Sequence, residues 1–398
     1  MSTQGSWQRD VFAEIGGVPE SPDPESPPAP YAGSAAARYA TEPGPEAAVP
    51  AQFGPPADEH PAGARPTRAG EPQPDDAVPD SVPVIAPELG EALGRVRRGD
   101  PLLRRALRAV RVLGASAAHD GASRAETARA IQQPITTGRQ IAVGSIRGGA
   151  GKSTVAALLA LTFAHYRTDP VLAVEADGVL GTLPRRLGAK EIRWSCSDIA
   201  HVIDASTPLA NVTGYLVPFH GGWLLPGSRG RVTRNRLDPK AYYMAMASLR
   251  RHFGVTVVDC ETLPTEVARL ALSSTQARVL ATPATVEGVA STRLVLDWLD
   301  TLDPAMLPTT VVALVHASPD TALDTRKALR HLEVRGATVI SVPYDRSLAA
   351  GGEIRTAGLA RDTRDAAARL AAATMDRAVA HGRGDARAHS PHAGEARP

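Results

Sequence analysis

Residues 144 to 160 read GSIRGGAGKSTVAALLA, and this stretch restricts the possible folds more than any other part of the chain. The apolar run 141–146 leads into Arg147-Gly148-Gly149-Ala150-Gly151. Lys152-Ser153-Thr154 then opens a helical pattern through Val155, Leu158, Leu159 and Ala160. Glycines let backbone N–H groups turn inward around phosphate oxygens, and a helix N-terminus adds partial positive charge. In such a loop Lys152 reaches the β- and γ-phosphates of a nucleotide, and the Ser153 hydroxyl ligates Mg²⁺. An ordinary glycine-rich turn has no need of Lys-Ser-Thr at its exit, so strand, loop and helix here predict a nucleotide site.

A loop of this kind needs a sheet around it, and the rest of the chain supplies one. Apolar, β-branched runs at 141–146, 171–175, 222–225, 255–259, 277–281, 310–315 and 338–342 alternate with helical patterns at 152–164, 239–252, 286–302 and 320–334. Continuous apolar strands between helices predict a doubly wound, mainly parallel α/β sheet covered on both faces. Ligands of such sheets bind at the carboxyl ends of the strands. Residues 140–378 are therefore expected to form one α/β domain.

The flanks differ in kind. Of the 34 prolines, 18 fall in the first 90 residues, which also carry 14 Asp and Glu against 4 Arg and no Lys. The net charge of +2 thus hides an acidic arm, and residues 1–88 are too polar, proline-rich and one-signed to offset chain entropy by burial. They are expected to be disordered, as is the tail 379–398. Between arm and domain, 89–139 reads as a basic helical leader. Asp100-Pro101 has the form of a helix start, and Leu102, Leu103, Ala106, Leu107, Val110 and Leu113 share one face. That face can pack on the main domain, meet a partner or a membrane surface, or lie beside nucleic acid. Two cysteines make no disulfide framework, and Cys260 reads as a buried thiol. With no leader-type opening and no apolar run near 18 residues, the chain reads as cytoplasmic, at most peripheral to the inner face of the membrane.

The common phosphate loop has a glycine where this chain has Ile146. The sequence instead resembles the deviant Walker A loop, Lys-Gly-Gly-x-Gly-Lys-Ser/Thr, of the MinD/ParA ATPases. The resemblance spans roughly residues 138–378 and includes four further motifs. In VLAVEADGVLGTL it implies that Glu175 lies near the Mg²⁺ and that Asp177 helps position the attacking water. In FGVTVVDCETLP it implies that Asp259, at a strand end, holds the cation through water. After the strand in TTVVALVHASPD, His316 stands where the family often has a base-contacting Asn; a strand-end histidine without that role fits equally well. In VISVPYDRSLAAGG, Pro343 and Tyr344 resemble an element that closes the base pocket. The Pro-rich arm, the basic leader, the approach from Pro134 to Arg139 and Gly181-Thr182-Leu183 are similar to MinD-like ATPases encoded beside actinobacterial type VII secretion systems.

This resemblance implies Mg-ATP binding, a nucleotide-dependent homodimer and a partner complex in secretion or positioning. It implies hydrolysis with Lys152 and Mg²⁺ absorbing phosphoryl charge and Asp177 orienting water. Besides His316, two residues depart from the family pattern. Glu175 replaces an Asp, and Arg147 replaces the lysine that touches the partner's nucleotide. Arg147 can act in trans as a planar, permanently charged fork, or be a solvated loop residue. Since the chain has 40 Arg and only 4 Lys, the exchange is unsurprising, and slow turnover is expected. The basic loop with Arg229, Arg231, Arg234, Arg236 and Lys240 suits DNA, an acidic partner or the chain's own arm, or is a solvated surface. Two other functions stay open: an ATP-dependent, non-specific DNA-binding partitioning protein, and a non-hydrolysing nucleotide-bound scaffold.

Overall fold

The apolar runs become one eight-stranded sheet, whose strand order determines where a ligand can lie. The structure, a computed structural model, describes residues 80–84, 117–204, 206–229, 236–320 and 323–388. In chain order the strands and the helices of seven or more residues are β1 (Val82–Pro83), α1 (Ala117–Ile131), β2 (Arg139–Ser145), α2 (Lys152–Tyr166), β3 (Val171–Glu175), β4 (Glu191–Ile192), α3 (Cys196–Val202), β5 (Val217–Phe219), β6 (Gly222–Leu225) and α4 (Pro239–Leu249). There follow β7 (Val255–Thr262), α5 (Glu266–Ser274), β8 (Ala277–Pro283), α6 (Val286–Leu302), β9 (Thr310–Val315), α7 (Thr325–Leu332), β10 (Thr338–Val342) and α8 (Arg361–Ala388).

The sheet runs β10-β9-β8-β2-β7-β3-β6-β5. Its neighbours are parallel except β5, which lies antiparallel along β6 at the edge. From β2 the chain crosses over β7 to reach β3, and from β7 it crosses back over β2 to reach β8. The two crossovers run in opposite directions, so a crevice opens beyond the carboxyl ends of the central strands.

Alternation of side chains along the strands assigns the helices to two layers. Ile141, Val143, Val171, Ala173, Val255 and Val257 face a core shared with α1, α2 and α8. Ala142, Leu172, Val174, Val258 and Cys260 face the other core, with α3, α4, α5, α6 and α7. Helix α2 is apolar nearly all round, with Leu158, Leu159, Leu161 and Phe163 buried, because it lies between sheet and α8. Each such side chain contributes roughly 1.5–3 kcal/mol by leaving water. α4, α5, α6 and α7 begin at Asp238, Thr265, Thr285 and Asp324, whose side chains accept first-turn N–H groups.

All seven expected strands form, several a residue or more longer. α3, α5, β4 and the edge strand β5 are additions. α4 ends at Leu249 rather than at 252, and α7 starts at Thr325, where Asp324 caps it. The leader contains a helix, α1, that apolar periodicity does not mark, since its apolar residues are small alanines and one Ile. Alanine propensity and packing on α8 suffice to form it. The leader pattern at 100–114 lies outside the described residues, as does the arm except 80–84. Those five residues lie within the stretch expected to be disordered, yet Val82–Pro83 among them form β1, which pairs antiparallel with β4. Val84 N donates to Lys190 O at 2.9 Å and Ser81 Oγ to Glu191 Oε2 at 2.8 Å. At the other end α8 runs on to Ala388, past the boundary expected at 378, because Ala and Arg carry helical propensity through the segment. Residues 389–398 of the tail lie outside the described residues. Cys196 and Cys260 are both buried and free.

Candidate active site

At the carboxyl end of β2 the loop 147–151 meets α2. Gly149 (φ 75) and Gly151 (φ 86) take left-handed conformations that L side chains rarely adopt. A Cβ on Gly148 or Gly149 would meet nothing within 4 Å, so the space before the loop is open, whereas one on Gly151 would press on Val315 at 3.2 Å. Ala150 is buried beneath the loop and Thr154 within α2. Unlike α4 to α7, α2 has no side-chain cap, and its first turn carries no acidic residue. Its N-terminal N–H groups and positive dipole end are thus available to an anion.

Two carboxylates flank the lysine at the start of that helix, and a third lies beside one of them. Lys152, itself buried, places Nζ 3.7 Å from Asp177 Oδ2 and 3.7 Å from Asp259 Oδ1. Asp259 is the fifth residue of β7, which runs on to Thr262 through ladder pairing instead of ending at 259 as expected; it is fully buried, yet neither of its oxygens accepts a well-formed hydrogen bond. Burial lifts its carboxyl to about 6, against the pull of Lys152 and the Ser153 hydroxyl. Asp177 lies in the loop after β3, where Oδ1 accepts from Leu180 N at 3.1 Å. Glu175, at the end of β3 beside Asp259, is held differently. Its Oε1 accepts from Leu183 N at 3.2 Å and its Oε2 from Gly227 N at 3.1 Å. Burial pushes its carboxyl up to about 8, the two backbone donors pull down, and Asp259 and Asp177 push up again.

These features suit a Mg-nucleotide. An orphaned buried carboxylate and a neighbouring hydroxyl offer hard oxygen donors. Among the described residues no cluster of three or more His, Cys, Asp and Glu forms a cage. Magnesium typically takes one or two carboxylates and completes its shell with water and substrate phosphate. Ser153 and Asp259 would hold it.

The other expected residues fall around the same edge. Arg147 is exposed, and its Nε donates to Ser291 Oγ on α6 at 3.1 Å, while its carbonyl accepts from Ser145 Oγ. His316 follows β9, half-buried, with Nε2 3.0 Å from Ser341 Oγ on β10, and burial lowers its pKa. Pro343 and Tyr344, both half-buried, leave β10 beside it, and Asp345 fixes the turn that follows by accepting from Ser347 N and Ala360 N. Of the basic loop, Arg229 is paired with Asp198 of α3, and Arg231 and Arg234 lie outside the described residues. Sequence reasoning missed Ser291, Ser341 and the amides of Leu183 and Gly227. The latter two are backbone groups, marked only by a glycine after an apolar strand.

The raised carboxyls set a pH dependence. In the folded chain Asp259 and Glu175 hold protons up to about 6 and about 8, whereas their ordinary values are 3.8 and 4.5. Between these limits the native state binds more protons than the unfolded state, so stability falls as pH rises. The slope is at most ~1.4 kcal/mol per pH unit for each group. Nucleotide-free protein should melt lower at pH 8 than at pH 6 by scanning calorimetry. A melting temperature that climbs over that range would contradict the burial of these charges.

Sheet order, phosphate loop and uncapped helix define a P-loop α/β fold. In sequence the chain is 28% identical over 226 residues to the ESX-1 secretion-associated protein EspI of Mycobacterium tuberculosis, in two strains. The match covers 54% of this chain and 33% of EspI, so the chain spans about a third of the length of the curated relatives it matches. No protein-family model matches. Among solved structures, a ParA family ATPase from Chlorobium tepidum is similar at 15% identity and TM-score 0.47, covering 61% of this chain and 98% of that one. The septum site-determining protein MinD of Pyrococcus horikoshii, complexed with Mg-ADP, is similar at 19% and 0.45, covering 63% and 97%. Among the described residues no helix is long and apolar enough to cross a membrane.

Proposed function

We propose that the chain is a Mg-ATP-dependent switch ATPase of the MinD/ParA kind, which dimerises around nucleotide, hydrolyses it slowly and acts on a partner in a secretion system. The observation that carries this reading is Lys152, held at the open end of an uncapped helix between Asp177 and the orphaned Asp259. Backbone N–H groups of 148–153 bind the phosphates, and Lys152 turns from its carboxylates to the transferring group. Ser153 and Asp259 hold the cation, which when bound neutralises charge on the phosphates. Asp177, fixed by the amide of Leu180, orients the attacking water. His316, Pro343 and Tyr344 border the base.

Arg147 is exposed at the start of the loop, next to the exposed Ile146, and it touches α6 through Ser291, a helix that also exposes Val286 and Leu294. Such a rim favours self-association through this face. The secretion partner is supported by the name of the relative at 28% identity. The test is the molar mass of the full chain in solution with Mg-ATP, with Mg-ADP and without nucleotide. ATP alone should give a dimer that Asp177→Ala traps and Arg147→Ala abolishes. Wild type that binds ATP yet stays a monomer under every condition would overturn the switch. Salt-sensitive binding of non-specific DNA only with ATP would instead favour a partitioning protein. Tight ATP binding with no phosphate release would favour a scaffold.

A further inference from the structure

Glu175 occupies a strand end where a metal ligand is expected, but its oxygens face backbone. One accepts from Leu183 N, at the far end of the loop that carries Asp177, and the other from Gly227 N, in the loop after β6. The surroundings are shaped to the longer side chain. A Cβ on Gly181 would come within 2.2 Å of Glu175 Oε1 and 2.5 Å of Asp177 O. One on Gly227 would meet Glu175 O at 2.7 Å and Gly178 Cα at 3.2 Å, so the two loops lie backbone on backbone. Within the first loop Asp177 is turned back on itself, accepting from Leu180 N through Oδ1 and from Gly181 N through its carbonyl. The second loop continues outward: Pro226 O accepts from Cys196 N, and Arg229 pairs with Asp198, both at the start of α3.

We infer that Glu175 is a positioning residue, which braces the Asp177 loop from below and ties it to the loop after β6, instead of ligating the cation. Its length decides this. An aspartate is one methylene shorter and cannot reach both amides from the same Cα. A buried amide that loses its acceptor destabilises its loop, and displacement of a reacting group by ~1 Å can lower a rate about 10²-fold. The same brace gives the proposed nucleotide site a short route to α3, through the Glu175–Gly227 hydrogen bond and the Arg229–Asp198 ion pair.

The inference rests on the proposed nucleotide site, and the experiment separates the two. Hydrogen exchange at 176–183 and 226–229 is measured on the full chain without nucleotide, for wild type, Glu175→Asp and the isosteric Glu175→Gln. Glu175→Asp should raise exchange about tenfold or more in both loops together. Glu175→Gln, with one acceptor left, should loosen mainly one loop. The Mg²⁺ dependence of binding to a fluorescent ATP analogue should stay within about threefold of wild type in both variants. Phosphate release should fall by about 10²-fold in Glu175→Asp, with little further loss when Asp177→Ala is added. Loops that stay protected while Mg²⁺ dependence disappears would make Glu175 a ligand and overturn the brace. If wild type binds no nucleotide, the proposed function fails, and the exchange pattern alone still decides for or against the brace.

Discussion

Asp259→Asn should melt higher than wild type in the absence of nucleotide, and should lose the Mg²⁺-dependent part of nucleotide binding. Asp259 is fully buried and neither oxygen accepts a well-formed hydrogen bond. Raising its carboxyl from 3.8 to about 6 corresponds to roughly 3 kcal/mol against the ionised form near neutral pH. Asparagine keeps the shape and removes the charge, but it leaves an amide to satisfy and weakens the attraction to Lys152. A net gain of about 1–2 kcal/mol remains, or about 2–8 °C for a domain of this size. The functional effect has the opposite sign. Saturating Mg-nucleotide at 100 times its Kd would stabilise wild type by ~2.7 kcal/mol. The variant should gain no more from nucleotide with Mg²⁺ than without it. Thermal melts of both proteins, with and without Mg²⁺ and ATP, check each half. A variant that melts lower would show that Asp259 supports the fold rather than strains it.

That opposition between stability and binding is characteristic of a residue kept for a ligand, and it was legible in sequence because Asp259 ends an apolar run. The phosphate loop was legible for the same reason: Gly149, Gly151 and Lys152 are a short-range pattern whose backbone demands only glycine meets. Sheet class followed from apolar runs such as TVVALV, buried on both faces. What escaped was mostly long-range or backbone-borne. The Glu175 carboxylate meets Gly227 N, 52 residues away, and a backbone amide leaves no mark in the sequence beyond the glycine that allows its approach. Helix α1 has too few apolar side chains to show a period, and its place is set by α8. Strand β5 is three residues with Pro218 at the centre, tolerable only because it is an edge. The pairing of His316 with Ser341 depends on β9 and β10 being neighbours, a property of strand order.

Lys152→Ala should have the largest effect of any single substitution in the loop. The ammonium is buried between Asp177 and Asp259, 3.7 Å from an oxygen of each. Removing it leaves two carboxylates facing each other without a counter-ion, and breaking a buried pair typically costs about 3–5 kcal/mol. At about 2–4 °C per kcal/mol, melting should fall by roughly 10 °C. Phosphate release should drop by more than about 10³-fold, since the lysine is the protein's own charge on the transferring group. Loss of fold and loss of chemistry would coincide in that variant, and the double variant Lys152→Ala/Asp259→Asn separates them. With the buried anion also gone, most of the lost stability should return, because the residues share one electrostatic site and their effects are not additive. Nucleotide binding and phosphate release should not return. If the double variant melts as low as Lys152→Ala alone, the lysine acts through packing of α2, and its pairing with Asp177 and Asp259 is not what holds the site together.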